Sequence, residues 1–123
     1  MTWRSKLQPS VALNTMEAEC FGLSEATSES VWLQRMLTEL IGSTAVPPVI
    51  KCDNTAAIAI AHNPTQHCRS KHIDVRVHFV RERVRAGELK LVYVPSKDNA
   101  ADVLTKGLKR VAHEHCVRLL GME

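Results

Sequence analysis

The stretch VIKCDNTAAIAIAHNP, residues 49–64, spans the boundary between two predicted elements of secondary structure. The apolar run that ends at Cys52 is typical of a short buried strand, and the alanine- and isoleucine-rich segment after it is typical of a helix. Asp53 lies at the junction between them. Because a buried carboxylate without a partner costs several kcal/mol, this position predicts a compensating interaction for Asp53.

The composition is that of a globular protein with one domain. The chain has 123 residues, of which 45% are hydrophobic and 24% charged, and a domain of this length buries roughly two-thirds of its unfolded surface. No apolar run approaches the roughly 20 residues that a bilayer span requires, and no signal-peptide pattern opens the chain. We therefore expect an intracellular protein with no membrane partner.

The first third of the chain predicts a strand followed by a long helix. Residues 2–13, TWRSKLQPSVAL, alternate loosely and predict a strand that is interrupted near Pro9. The helix is predicted to begin at Asn14, which forms a capping-box pattern with Glu17, and to end at Gly42. Its predicted apolar stripe consists of Leu23, Ala26, Ser30, Leu33, Leu37 and Leu40.

Strands and helices alternate in the remainder of the chain. The last helix is predicted to start from a cap at Ser96 or Asp98 and to break at Gly107. The order β-α-β-α-α-β-α is that of an α/β domain, in which the second and third strands pair in parallel through the helices between them. The predicted ranges are strands over residues 47–53 and 88–94, and helices over residues 54–63 and 70–87, the latter with Ile73, Val77, Val80 and Val84 on its apolar face.

Three carboxylates fall at positions from which they can meet at one edge of the sheet. Glu19 continues the stripe of the first helix through positions 19, 23, 26, 30 and 33, so we expect it to face inward. Asp53 ends a strand, where ligands gather in open α/β sheets, although this residue or Asn54 could instead cap the following helix. Asp102 lies near the start of the last helix, where it could simply offset the helix dipole.

Carboxylates gathered in this way predict a metal site. Like charges raise one another's pKa values unless cations neutralise them. Hard divalent cations such as Mg²⁺ and Mn²⁺ prefer carboxylate oxygens as ligands. A divalent cation held by Glu19, Asp53 and Asp102 would supply the compensating interaction that Asp53 requires.

The four cysteines predict neither a disulfide framework nor a zinc ribbon, because no two of them form a C-x-x-C pair. A looser set of potential metal ligands exists, but its spacing is irregular. We therefore favour buried cysteines and surface histidines for these residues. The set consists of Cys68, His72, His113, His115 and Cys116.

Basic residues are concentrated between Arg69 and Lys90. Seven residues there are basic and three are acidic, a local net charge of +4 (7 − 3) within a chain of net charge +3. These residues form a modest but localised basic surface, and a solvated helix face is the simpler interpretation for about half of the side chains.

Five segments of the chain resemble, in order and spacing, the ribonuclease H domain of copia-type LTR retrotransposon Pol polyproteins. The resemblance implies a five-stranded mixed sheet flanked by helices, and an enzyme dependent on Mg²⁺ or Mn²⁺ that cleaves the RNA strand of an RNA–DNA hybrid by two-metal hydrolysis. Glu19, Asp53 and Asp102 match three of the four carboxylates that hold the metal ions in this family. The segments are TWRSKLQPSVAL with EAE, KCDN, SKHIDVRVHFVRE, GELKLVYVPS and NAADVLTKGL.

The same resemblance implies partners. Lys71, Arg76, Arg81 and Arg83 on the basic helix would hold the phosphates of the hybrid without reading its sequence. Lys97 is the basic residue available to assist product release in the loop before the last helix, where many relatives have a histidine. The domain would work beside the reverse transcriptase domain of a parent polyprotein, in a cytoplasmic retrotransposon particle or in the nucleus.

The sequence departs from the family pattern at its N-terminus. The fourth carboxylate of the family lies on a first strand upstream of the TWRSK segment, and that strand and the next are absent from these 123 residues. We therefore expect an α/β, ribonuclease H-like mixed sheet flanked by helices that lacks the first two strands, has impaired activity and self-associates through an open sheet edge. The alternative is a catalytically inactive remnant that binds nucleic acid or another protein.

Overall fold

The α/β class predicted from the sequence is confirmed. The structure, a computed structural model, describes residues 8, 11–42, 46–63 and 71–122. None of the helices in these ranges is long and apolar enough to span a membrane. The elements are α1 (Thr15–Ile41), β1 (Val49–Cys52), α2 (Thr55–His62), α3 (Lys71–Arg85), β2 (Lys90–Tyr93), 3₁₀ turns at Ser96–Asp98 and Ala100–Leu104, and α4 (Arg110–Leu119).

The two strands pair in parallel, as the sequence predicts. Val49 of β1 lies opposite Lys90 of β2, and Cys52 lies opposite Tyr93. The ladder continues one step further, because the Val94 N–H donates to the Cys52 carbonyl at 3.0 Å. Both strands therefore finish at the same edge. The mixed sheet implied by the resemblance is not seen within the described residues, whose sheet consists of this parallel pair.

The strand predicted over residues 2–13 lies mostly outside the described residues. Where the chain is described again, from Val11 to Leu13, it is irregular rather than a strand. Val11 is 92% exposed and Leu13 is 78% exposed. These three residues lead directly into the cap of α1.

Local capping interactions fix both ends of α1. The Asn14 Oδ1 atom accepts a hydrogen bond from the Glu17 N–H at 2.9 Å, and the Glu17 carboxylate accepts one from the Leu13 N–H at 2.9 Å. The capping box is confirmed, although its return bond reaches one residue further upstream than in the standard motif. Gly42 ends the helix with a φ of 91°, a conformation that favours glycine, and its N–H donates to the Thr38 carbonyl.

The hydrophobic core lies between α1, α2, α3 and one face of the sheet. The apolar face predicted for α3 is confirmed, because Ile73, Val77 and Val80 are buried and Val84 is partly buried. Gly87 follows the helix with a φ of 72°. Other core residues are Cys20, Phe21, Leu23, Cys52, Ala57, Ile60 and Ala61.

The apolar stripe predicted for α1 is confirmed in part, because Leu23 is buried and Ser30 and Leu33 are partly buried, but the other members of the stripe do not face the core. Glu19, which was expected to face inward, is exposed, and Glu17 is buried instead. The inward face is rotated because α2 and α3 pack against Cys20 and Phe21. Thr27 lies on this face and satisfies its hydroxyl by donating to the Leu23 carbonyl at 2.8 Å. The stripe residues that are exposed are Ala26, Leu37 and Leu40.

The segment predicted as one last helix is two 3₁₀ turns followed by α4. The break at Gly107 is confirmed. The predicted caps are wrong, because the Asn99 side chain caps the second turn by accepting a hydrogen bond from the Ala101 N–H at 3.2 Å. Asp98 instead contacts α4, with its Oδ1 atom 3.1 Å from His115 Nε2.

Candidate metal centre

Asp53 and Asp102 both follow a strand at the same edge of the sheet. Asp53 comes directly after β1, whereas Asp102 lies nine residues after β2, on the second of the two 3₁₀ turns that follow that strand. Because the strands are parallel and level, both segments leave the sheet at its carboxyl edge. Ligand sites in α/β sheets form at this edge.

The capping role that could have explained Asp53 belongs to its neighbour. The Asn54 Oδ1 atom accepts a hydrogen bond from the Ala57 N–H at 3.0 Å, which is the side-chain cap of α2. The Asp53 carboxylate is therefore not needed at this helix terminus. It is half-buried at the junction between β1 and α2.

Glu19 reaches the same place from α1. One ligand atom each from Glu19, Cys52 and Asp53 lies within 4.8 Å of the other two. Within the described part of the chain, this is the one group of three such side chains close enough together to hold a metal ion. The exposure of Glu19 leaves this group open to solvent on one side.

Asp102 completes the acidic cluster, which we define as Glu19, Asp53 and Asp102. It lies outside the group of side chains within 4.8 Å, yet its charge contributes to raising the pKa of Glu19. Its side chain is 14% exposed. The sequence therefore identified two carboxylates, Glu19 and Asp53, that lie close together, and a third, Asp102, whose charge acts on Glu19. It placed Asp102 on an α-helix, whereas the structure places it on a 3₁₀ turn.

Lys106 is a member of this site that the sequence analysis missed. Its Nζ atom forms an ion pair with Asp102 Oδ2 at 2.9 Å. The hydrogen bond to Asp102 raises the pKa of the Lys106 ammonium, a smaller effect of desolvation opposes it, and the negative charges of Asp102, Asp53 and Glu19 raise the pKa further. The spacing of four residues between Asp102 and Lys106 was the available signal, because side chains at that spacing are neighbours on a helical turn.

The acidic cluster, even with the Lys106 ammonium beside it, has an excess of negative charge. Partial desolvation raises the pKa of the Glu19 carboxyl, the charge of Asp53 raises it further, and Asp102 adds to the effect against the opposing charge of Lys106. Three carboxylates and one ammonium leave a formal charge of −2 (−3 + 1). One divalent cation would neutralise this charge.

The chemistry of the donor atoms fits a hard divalent cation. Glu19, Asp53 and Asp102 all offer carboxylate oxygens, the donors that Mg²⁺ and Mn²⁺ prefer. Cys52 contributes less, because burial raises the pKa of its thiol, as do the nearby charges of Glu19 and Asp53 against a backbone hydrogen bond at Asn54. A neutral thiol is a poor ligand for hard cations.

The basic helix α3 uses most of its predicted phosphate-binding arginines within the fold. Arg81 is 5% exposed and donates to the Ile60 carbonyl at 2.8 Å, so it holds α3 against α2 and does not face solvent. Arg76 pairs with Glu25 at 3.1 Å, and its guanidinium lies 4.3 Å from the centre of the Phe21 ring. These contacts favour the structural interpretation for both residues.

Among the remaining candidates, two lysines are exposed. The Arg83 guanidinium donates to both carboxylate oxygens of Glu88, at 3.0 and 3.1 Å. Lys71 begins α3 and Lys97 lies in the first 3₁₀ turn, and both side chains are open to solvent. Lys71 and Lys97 can therefore contact a phosphate without the loss of a hydrogen bond or ion pair of the kind that holds the three arginines.

The looser set of potential metal ligands is not brought together in the described residues. Cys68 lies outside those residues, and His72 is exposed at the start of α3. Cys116 is buried, and its thiol donates to the Asn99 carbonyl at 3.7 Å. Cys116 thus packs α4 against the second 3₁₀ turn, which agrees with the interpretation of these cysteines as core residues.

The sequence is homologous to a segment of plant retrotransposon Pol polyproteins. It is 43% identical over 122 residues to the retrovirus-related Pol polyprotein from transposon TNT 1-94 of Nicotiana tabacum, a match that covers 99% of this chain and 9% of that protein. The corresponding polyproteins from transposons RE2 and RE1 of Arabidopsis thaliana are 41% and 39% identical, each over 99% of this chain and 8% of the polyprotein. The chain thus spans less than a tenth of the length of these relatives.

A shorter segment of the chain is similar to a protein that is not a Pol polyprotein. Over 33 residues, 27% of this chain, it is 58% identical to the secreted RxLR effector protein 161 of Plasmopara viticola, covering 23% of that protein. No protein-family model matches the chain, and no solved structure does.

Proposed function

We propose that this chain, being homologous to a segment of retrotransposon Pol polyproteins, is a ribonuclease H-like domain of the copia type. Its acidic cluster is the binding site for the divalent cations of phosphodiester hydrolysis, and its substrate class is the RNA–DNA hybrid formed in reverse transcription. The observation that carries the proposal is the approach of Glu19 and Asp53, from separate elements, to within 4.8 Å at the carboxyl edge of the sheet.

The cluster suits this chemistry because its three carboxylates can act as metal ligands, and metal-assisted hydrolysis needs no protein nucleophile. Glu19, Asp53 and Asp102 would hold the cation, which supplies an activated water and stabilises the leaving oxygen in this class of reaction. The protein's own contribution is rigid placement. The cap of α2 at Asn54 and the strand pairing at Cys52 hold Asp53 in position.

The nucleic acid would bind mainly through its phosphates. Lys71 and Lys97 are the exposed candidates from the predicted set, and contacts of lysine with phosphate carry no sequence preference. Such binding weakens as the salt concentration rises, because phosphate contacts release counterions. We therefore expect hybrid binding that depends on salt and not on sequence.

A polypeptide of these 123 residues carries three of the four carboxylates that the resemblance implies. We expect it to bind the cation and the hybrid but to cleave the hybrid slowly or not at all, because a missing ligand weakens the metal site and misplaces the attacking water. The second candidate function, a catalytically inactive nucleic-acid-binding domain, describes this polypeptide if its binding persists without cleavage.

The test compares binding and cleavage of a labelled RNA–DNA hybrid in Mn²⁺ and in EDTA. We expect hybrid binding that is tighter in Mn²⁺, tighter than binding to duplex DNA of the same sequence, and weakened by Lys71→Ala with Lys97→Ala. Hybrid binding that is equal in EDTA and no stronger than duplex DNA binding would contradict the proposal.

Cleavage is tested with an extended polypeptide. The residues that precede the matched segment in a related polyprotein are joined to Met1, and the product is assayed in Mg²⁺. We expect cleavage of the RNA strand that Asp53→Asn abolishes, whereas Glu114→Gln, an exposed charge change on α4, leaves it intact. Cleavage that survives Asp53→Asn would overturn the assignment of the metal centre.

A further inference from the structure

We propose that Lys106 is the resident counter-cation of the acidic cluster and that it sets the affinity of this site for divalent cations by competing for the Asp102 carboxylate. The inference rests on the proposed function only in taking the acidic cluster as the cation site. It assigns to Lys106 a positioning role, since its ammonium acts on the cation through Asp102.

The geometry places the ammonium on the solvent side of Asp102. Lys106 follows the second 3₁₀ turn, and its backbone N–H donates to the Asp102 carbonyl at 2.9 Å. Its side chain then returns to the carboxylate of the same residue, with Nζ 2.9 Å from Oδ2. The Lys106 side chain is 57% exposed and that of Asp102 is 14% exposed. The Lys106 side chain therefore lies between solvent and the Asp102 carboxylate, the rest of which is largely covered by protein.

The ammonium also acts on the rest of the cluster. Lys106 is the positive charge that lowers the pKa of Glu19, against the effects of Asp53 and Asp102. A single lysine thus interacts with all three carboxylates. A compact ammonium on a flexible stem is able to move aside when a stronger cation arrives.

Competition follows from this arrangement. A divalent cation that binds Asp102 either displaces the ammonium from Oδ2 or binds Oδ1 beside it, and in both cases the two positive charges repel each other at short range. Removing the charge of Lys106 should therefore strengthen metal binding. The same removal should destabilise the metal-free chain, because three carboxylates then lack their counter-cation.

The experiment measures Mn²⁺ affinity by titration with electron paramagnetic resonance detection of free Mn²⁺ at low ionic strength. We expect Lys106→Gln to bind Mn²⁺ more tightly than the wild-type chain, by up to about fivefold, the upper end of the range for an exposed ion pair. Lys106→Arg keeps the charge and should retain wild-type affinity. Lys109→Gln is the matched control, since it removes the same charge from an exposed position three residues away and should leave affinity unchanged.

Thermal unfolding supplies a second readout. In EDTA, Lys106→Gln should unfold at a lower temperature than the wild-type chain, and saturating Mn²⁺ should remove this difference. A purely structural role for Lys106 would lower stability without tightening metal binding. If Lys106→Gln does not fold, Lys106→Met repeats both measurements with an uncharged side chain of similar reach.

The outcomes separate the two proposals. A wild-type chain that binds no Mn²⁺ contradicts the metal centre itself and, with it, the competition. A wild-type chain that binds Mn²⁺ while Lys106→Gln binds it equally or more weakly overturns the inference about Lys106 and leaves the metal centre standing.

Discussion

At the carboxyl edge of the sheet, the charge of Asp53 acts directly on Glu19. Asn54 provides the cap of α2, so Asp53 has no structural task at that helix terminus. Its charge instead raises the pKa of Glu19, in addition to the effect of desolvation. Two carboxylates that repel each other when no cation is bound are typical of a site that binds a cation.

Because the negative charge on Glu19 is unfavourable in the folded chain, we predict that the free energy of unfolding falls as pH rises. The pKa of Glu19 is higher in the folded chain than its ordinary value, so the folded chain keeps this proton over a range in which the unfolded chain has lost it. Folding is therefore favoured at low pH and becomes less favourable as pH rises through that range. Glu19→Gln removes the penalty, and we expect it to unfold at a higher temperature than the wild-type chain at pH 7 in EDTA.

Thermal melts between neutral pH and about pH 4, where an ordinary glutamate is largely protonated, measure this effect. The difference in unfolding temperature between Glu19→Gln and the wild-type chain should become smaller as the pH is lowered. Glu39→Gln, on the exposed C-terminal half of the same helix, removes the same charge away from the cluster and is the control. A Glu19→Gln variant that is less stable than wild type at pH 7 would contradict the electrostatic account.

Among the elements, α2 is short and depends on its cap. Its eight residues follow Asp53 and Asn54 directly, and a helix of this length is marginal without tertiary support. We expect Asn54→Ala to lower the free energy of unfolding by about 1 kcal/mol. Asn54→Ser retains a side-chain acceptor and should lose much less. Urea denaturation compares the variants, and equal losses for alanine and serine would exclude a capping role.

The helix α3 contains basic residues of two kinds, which mutation should separate. Arg81 is buried and bonded to the Ile60 carbonyl of α2, so Arg81→Ala should lower the free energy of unfolding by about 2–3 kcal/mol. Lys71 is exposed, and Lys71→Ala should change stability by less than about 0.5 kcal/mol while weakening hybrid binding. Denaturation and hybrid binding of both variants test this, and the reverse pattern would show that Arg81 contacts the nucleic acid.

The elements that local signals specify could be predicted from the sequence. Asn14, Glu17 and Gly42 mark the ends of α1 through bonds within a few residues of one another. The apolar spacing of α3 and the parallel pairing of the two strands were likewise predicted. The position of Asp53 at the carboxyl edge followed from this topology, and Glu19 lies beside it.

Features that depend on distant partners could not be predicted. The burial of Arg81 requires the Ile60 carbonyl, and no local pattern distinguishes it from Arg83. The direction of the α1 stripe is decided by α2 and α3, because apolar residues occur on more than one face of that helix. Lys106 could have been paired with Asp102 from its spacing of four residues, but that spacing alone does not show that the ion pair lies beside Glu19 and Asp53.

At the scale of the whole molecule, the described residues form a small parallel sheet that their helices cover on one face. Val49 and Val92, on its other face, are 52% and 45% exposed, whereas parallel sheets are usually covered on both faces. Within the described residues, each strand has a single neighbour. Uncovered strands with apolar side chains are templates for pairing with another chain.

We therefore expect the isolated polypeptide to self-associate. Size-exclusion chromatography with light scattering over a tenfold range of concentration should give a mass that rises with concentration. A constant monomer mass, together with slow amide exchange in residues 11–13, would contradict this and would indicate that the N-terminal segment covers the sheet within one chain.

The central claim is that Glu19, Asp53 and Asp102 form one divalent-cation site, and thermal unfolding during a titration with Mn²⁺ tests it most directly. A ligand that binds the folded chain alone stabilises it by about 2.7 kcal/mol at a hundredfold excess over its dissociation constant. We predict that millimolar Mn²⁺ raises the unfolding temperature of the wild-type chain progressively and leaves that of Asp53→Asn nearly unchanged. A wild-type chain that shows no shift, or an Asp53→Asn variant that shows the same shift as wild type, would contradict the claim.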